Sequence, residues 1–160
     1  MKVKCLQTTG QGWFEEVEYD KPEPGTYEIE VRALMTGVCR SDIDMMMGEF
    51  GPLPLHMQGH EGLGVVTKVG MGVAKVNVGD IVATRGEPAY ADYYNTKIEE
   101  FVVVPEANPK YILEPVACGL NLINQAKEQL LDRQGRSENT RMLIIGSGFC
   151  LLYTSPSPRD

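Results

Sequence analysis

The stretch that most restricts the fold runs from Gly59 to Val82. It reads Gly59-His60-Glu61-Gly62-Leu63-Gly64, then Val65-Val66-Thr67-Lys68-Val69-Gly70-Met71-Gly72-Val73, then Gly79-Asp80-Ile81-Val82. Glycine recurs every few residues and valine fills many of the gaps, which suits twisted, bent strands closing a small barrel. The same punctuation extends over the first ~110 residues, where short apolar-polar alternations are separated by Gly, Pro and Asp.

Within that region Trp13, Val17 and Tyr19 share one face of an expected second strand, and Lys21-Pro22-Glu23-Pro24-Gly25 breaks the chain after it. Tyr27, Ile29, Val31 and Ala33 then alternate with Glu28, Glu30 and Arg32, the pattern of a half-buried strand. Ser41 to Gly48 predicts a short helix capped by Ser41 or Asp42, its three methionines serving as core filling. Phe101 to Val104 predicts a last strand, stopped by Pro105.

The character changes after Pro109. Val116, Leu120, Ile123, Lys127 and Leu130 trace a helical stripe from about Pro115 to Asp132, with Pro115 in the first turn. A polar connector, Gln134 to Thr140, leads into Arg141-Met142-Leu143-Ile144-Ile145-Gly146-Ser147-Gly148. An apolar strand running into Gly146-x-Gly148 is how a dinucleotide-binding fold begins. Pro156 and Pro158 then stand where the phosphate-binding helix would run. Cys150 to Asp160 match the in-frame translation of a transposase adapter used in preparing sequencing libraries, so the natural sequence is expected to end at Phe149. The expected divisions are 1–113, 114–149 and 150–160.

Composition narrows the function. A chain of 160 residues, 42% hydrophobic and 23% charged, has the make-up of one globular domain plus a fragment of another. The net charge of −7, from 15 basic and 22 acidic residues, argues against nucleic acid as a partner. Neither a signal-peptide core nor a stretch of ~20 apolar residues is present, which points to a cytoplasmic protein without membrane partners. Cys5, Cys39, Cys118 and Cys150 show no CxxC spacing and so suggest neither a disulfide framework nor a structural zinc knuckle.

The run from Gly59 to Val73 resembles the signature of zinc-containing medium-chain alcohol and polyol dehydrogenases. That resemblance implies a catalytic zinc, for which Cys39, His60 and the carboxylates Glu61 and Glu114 supply thiolate, imidazole and carboxylate ligands while keeping one position open. Neighbouring side chains on an extended chain point to opposite faces, so His60 and Glu61 reach one ion only across a local bend, which Gly59 and Gly62 permit. Glu114 comes from another segment and converges freely. Cys39, His60 and Glu114 are therefore the expected direct ligands, with Glu61 exchanging or supporting.

Thr36-Gly37-Val38-Cys39-Arg40-Ser41-Asp42 resembles the same family's first ligand segment, and Leu113-Glu114-Pro115 the place where polyol and threonine dehydrogenases carry an acidic residue at the metal site. The resemblance implies a mainly β, GroES-like, partly open β-barrel, followed by a helix and the first strand of a truncated Rossmann domain. It implies hydride transfer from a secondary alcohol or polyol to NAD or NADP, with one catalytic zinc as Lewis acid and the intact parent a homo-oligomer.

By the same resemblance, Ser41 passes the substrate proton outward, Asp42 orients the zinc histidine, and Arg40, with Gly146 and Gly148, faces the cofactor. Where relatives often carry a relay histidine this chain has Asp44. Gly79 to Val104 contains no cysteine, so no structural zinc is expected; on the residues alone, Tyr90, Tyr93 and Tyr94 either line the mouth of the site or sit half-buried in a turn. The missing third glycine implies that the 160-residue chain is inactive alone. Two other classes share the barrel: a zinc-free quinone-reductase-like relative, and a GroES-like binding or assembly module.

Overall fold

The strand at the centre of the fold is the glycine-led one. The structure, a computed structural model, describes residues 1–51 and 58–134, the side chains of 127–134 excepted. In it β1 (Lys2–Gln7) pairs with β2 (Glu15–Asp20), while β3 (Glu28–Thr36), β4 (Gly62–Val69), β5 (Ile81–Thr84), β6 (Tyr93–Lys97) and β7 (Phe101–Val104) form a second sheet. The order in that sheet is β6-β3-β4-β5-β7, antiparallel throughout. An isolated bridge, Cys5 to Ala91, ties β1 to the loop that leads into β6. The sheets do not close on each other, so the barrel is partly open.

The register of β3 on β4 shifts twice, between Glu30 and Val31 and between Ala33 and Met35. Such irregularities bend and twist a strand pair. Gly64 sits inside this region, where a Cβ would run into the Arg32 carbonyl and the Val31 side chain. The strand ends at Val69. Gly70 and Gly72 donate to the Glu28 and Thr26 carbonyls, turning the chain back so that Val76 joins the core from a loop.

That core is Ile29, Val31, Val66, Val82 and Tyr94, with Val76 and Ala89. A smaller cluster of Leu63, Ala83 and Val104 packs against Met35, Tyr111 and Leu113. Three details differ from the sequence reading. Trp13 is exposed and precedes β2, because Thr8 accepts from Gly10 and donates to the Trp13 carbonyl, holding 8–13 as a turn. Tyr27 is also exposed, lying across Gly72 ahead of β3. Glu30, expected on a solvent face, is buried, because Lys21 folds back over it.

The short helix is α1 (Arg40–Met46), and its cap is Cys39 rather than Ser41 or Asp42. Asp42, three residues in, accepts from the Cys39 backbone N–H at 2.7 Å. Of the three methionines only Met45 is buried, and Met47 is exposed. The longer helix α2 spans Glu114–Gln134, two residues past the expected end. The chain divides into two compact units, Met1–Glu114 and Pro115–Asp160. Among the described residues no helix is long and apolar enough to cross a membrane. The expected strand at 141–145 and the glycines Gly146 and Gly148 lie outside the described residues.

Candidate metal centre

Gly59 makes the bend that lets the neighbouring side chains of His60 and Glu61 approach one point. Its φ is +78°, in the left-handed region that glycine adopts without strain. The kink is pinned on both sides, since Ala89 N donates to the Gly59 carbonyl at 3.0 Å and Tyr90 N to the Gln58 carbonyl at 3.2 Å. His60 and Glu61 then lie in irregular chain before β4 begins at Gly62, so the alternation of a strand does not apply to them.

The other half of the site comes from the end of β3. Gly37 N donates to the Glu61 carbonyl at 2.8 Å, and a Cβ on Gly37 would collide with the Glu61 carboxylate. This close approach brings Cys39, two residues later, to the His60-Glu61 segment. One ligand atom from each of Cys39, His60 and Glu61 lies within 4.8 Å of the others. A zinc tetrahedron with bonds of ~2.0–2.3 Å has edges of about 3.5 Å, so the three need draw in only slightly. No other group of three His, Cys, Asp or Glu residues with this spacing occurs among the described residues.

Glu114, the expected third ligand, stands outside that triad but close enough to act on it. Burial pushes the Glu61 carboxyl above the usual carboxylate range, and the negative charge of Glu114 pushes it further; His60 and a hydrogen bond with Cys39 pull the other way. Two carboxylates and a thiol gathered at a half-buried point are the surroundings a cation relieves. The donor set therefore fits a zinc ion.

Asp42 stands behind His60 and is fully buried. Its Oδ2 accepts from Cys39 N at 2.7 Å and from the Tyr90 hydroxyl at 2.8 Å. Its Oδ1 has no hydrogen-bond partner and faces His60 Nδ1 at 3.6 Å. Arg40 and Asp44, the other charged residues on α1, bind each other, Nε to Oδ1 at 2.7 Å, with the arginine side chain 85% exposed. Ser41 is half-buried beside them.

Tyr93 is half-buried, while Tyr94 is wholly buried with its hydroxyl on Thr84, where burial pushes the phenol up to about 12. Tyr90 reaches the residues behind the triad, a connection the sequence gives no spacing rule to find. Gln58 was also unanticipated: it is buried next to the kink and neither amide atom has a partner.

A first test follows from the kink. At Gly59 a Cβ would lie 2.6 Å from the Tyr90 ring, on backbone that an L side chain rarely adopts. Gly59→Ala is expected to lower the unfolding free energy by about 2 kcal/mol or more, from strain plus overpacking, as read by urea denaturation. A loss below about 0.5 kcal/mol would show that the kink relaxes freely.

The alcohol dehydrogenase GroES-like domain family matches residues 24–111, just over half of the chain. An alcohol dehydrogenase of Schizosaccharomyces pombe is 45% identical over 45% of this chain and 21% of its own length. A glucose 1-dehydrogenase of Methanocella arvoryzae is 28% identical over 92% of this chain and 51% of its own. Among solved structures, galactitol-1-phosphate dehydrogenase from Escherichia coli superposes with a TM-score of 0.66 at 22% identity, over 78% of this chain and 45% of that one. The chain thus spans between about a fifth and a half of the length of these relatives. With its signature residues gathered at one kink and its strands in an unclosed barrel, the chain belongs to the alcohol dehydrogenase GroES-like domain family.

Proposed function

We propose that this chain is the zinc-binding part of an oxidoreductase that acts on the CH–OH group of an alcohol or polyol with NAD or NADP. One observation carries the reading: the thiol of Cys39, the imidazole of His60 and the carboxylate of Glu61 converge, with Asp42 behind the histidine, inside a domain of this family. Bound there, zinc would supply Lewis acidity toward the substrate oxygen and the nicotinamide would accept hydride.

The chain's own residues have separable parts in this reading. Cys39 and His60 hold the ion with Glu61, while Glu114 either supports them or exchanges with Glu61. Asp42 keeps the imidazole oriented, and Ser41 takes the substrate proton. Asp44, at the relay position, shares its carboxylate with Arg40, which ties the proton exit to the residue assigned to the cofactor phosphates. Gly146 and Gly148 complete the assignment on the cofactor side. The intact protein would be a cytoplasmic homo-oligomer with one catalytic zinc per subunit and no structural zinc.

The alternative, a zinc-free quinone-reductase-like relative, is separated by metal content. The purified 160-residue chain is expected to retain one zinc after dialysis and to bind zinc or cobalt stoichiometrically after chelation. It is also expected to form no NADH or NADPH with alcohols, since it spans at most about half of these relatives. A chain that folds yet holds no metal would rule out the zinc reading, and turnover with any alcohol would rule out the inactivity.

A further inference from the structure

Tyr90 is a side chain whose placement the ligand set alone does not explain. It lies in the loop between β5 and β6, next to Ala91, where the bridge to Cys5 ties that loop to β1. Its backbone is fixed in two directions, the N–H donating to the Gln58 carbonyl at 3.2 Å and the carbonyl accepting from Leu6 N at 2.8 Å. Its ring fills the space above Gly59 and meets Phe14 edge to face, with centroids 5.9 Å apart. Backbone and ring together leave the hydroxyl one direction to reach.

That direction is Asp42. The Tyr90 hydroxyl donates to Oδ2 at 2.8 Å, with the Gly37 carbonyl a longer second acceptor at 3.3 Å. The Cys39 N–H reaches the same Oδ2 from the other side. Two donors on one oxygen fix the carboxylate's rotation, and the remaining oxygen, Oδ1, is left facing His60 Nδ1. Oδ1 stands 3.6 Å from Nδ1, just outside hydrogen-bond reach, and a carboxylate that closes onto one imidazole nitrogen sets the tautomer and leaves the other nitrogen as the ligand.

We infer that Tyr90 is a positioning residue for the metal site, orienting Asp42 so that Asp42 in turn holds His60 in its ligating tautomer. The inference rests on the zinc reading above and extends it by one residue, to a loop that carries no ligand. It also accounts for Gly59, which must lack a side chain both for the kink and to admit the Tyr90 ring.

Tyr90→Phe keeps the ring and removes the hydroxyl. Metal affinity would be measured by competition with a chromophoric chelator in the full chain, and the cobalt-loaded chain would be followed by its visible spectrum. Tyr90→Phe is expected to bind zinc at least ~10-fold more weakly and to shift the cobalt bands. Asp42→Asn should weaken binding as much or more, and adding Tyr90→Phe to it should cause less than a twofold further loss. Phe14→Leu, which frees the ring to tilt, should weaken binding by about threefold, and it provides the test should Tyr90→Phe not fold.

Zinc affinity within twofold of wild type for Tyr90→Phe, with unshifted cobalt bands, overturns the inference while the zinc reading stands. So does a Phe14→Leu chain with unchanged affinity if Tyr90→Phe cannot be prepared folded. A wild-type chain that folds but takes up no zinc removes the zinc reading, and this inference with it.

Discussion

Cys39→Ser is expected to weaken zinc binding by roughly a hundredfold or more while the barrel stays folded. Structural zinc sites in small peptides bind with about 10–16 kcal/mol, shared among four ligands, so losing a thiolate from a smaller set should cost about 3 kcal/mol. The fold should tolerate the change because serine is itself a favoured N-cap residue and keeps the backbone N–H that donates to Asp42. The same assay ranks the carboxylates. Glu61→Gln is expected to cost more than Glu114→Gln, since Glu61 belongs to the triad within 4.8 Å and Glu114 acts on it through its charge. The reverse order would return the ligand set to Cys39, His60 and Glu114, and unchanged binding in Cys39→Ser would remove Cys39 from the site.

That ranking differs from the preference the sequence supports, for a physical reason. Glu114 is favoured only where residues 60 and 61 are extended, since neighbours on an extended chain oppose each other. The left-handed Gly59 and the start of β4 at Gly62 place them in a bend, and a bend has no period. Gly59 itself was readable as the means of bending. The hydroxyl of Tyr90 was not, because its partner Asp42 is 48 positions away and no pattern links a tyrosine to a carboxylate at that distance. Strands β3 and β7 were legible from local alternation and from Pro105. The turn at 70–80 was not, because glycine and valine recur there as they do in β4, and what ends the strand is a set of bonds to Thr26 and Glu28. Local periodicity reports the element, whereas tertiary bonds decide where it stops.

Glu30 is where alternation misleads most, and there the largest loss of stability is expected. Its side chain is 4% exposed, and Oε2 lies 2.7 Å from the Nζ of Lys21, itself 1% exposed, and 3.3 Å from that of Lys68. The contact is an ion pair rather than a well-aligned hydrogen bond, since Oε2 meets no donor in hydrogen-bond geometry. The Lys21 ammonium also donates at 2.8 Å to the Pro22 carbonyl and to Asn95, which joins the end of β2 to β6. Glu30→Gln leaves that ammonium buried without its counter-charge, at an expected cost of about 3–5 kcal/mol in unfolding free energy at neutral pH. Replacing both residues, Lys21→Met with Glu30→Leu, should recover most of the loss, because no charge then remains to be desolvated. The pH dependence has a definite sign. Burial pushes the Glu30 carboxyl up, but the adjacent ammonium of Lys21, the hydrogen bond from Thr67 and the ammonium of Lys68 outweigh it and hold the group below the usual carboxylate range. A depressed folded value means the stabilisation is complete above the unfolded value of about 4.3 and is lost as pH falls through the folded one. The gap between wild type and Glu30→Gln should therefore be full at neutral pH and close in acid, measured by urea unfolding across that range. A gap that stayed constant into strong acid would show that the lost stability comes from packing and not from the charge.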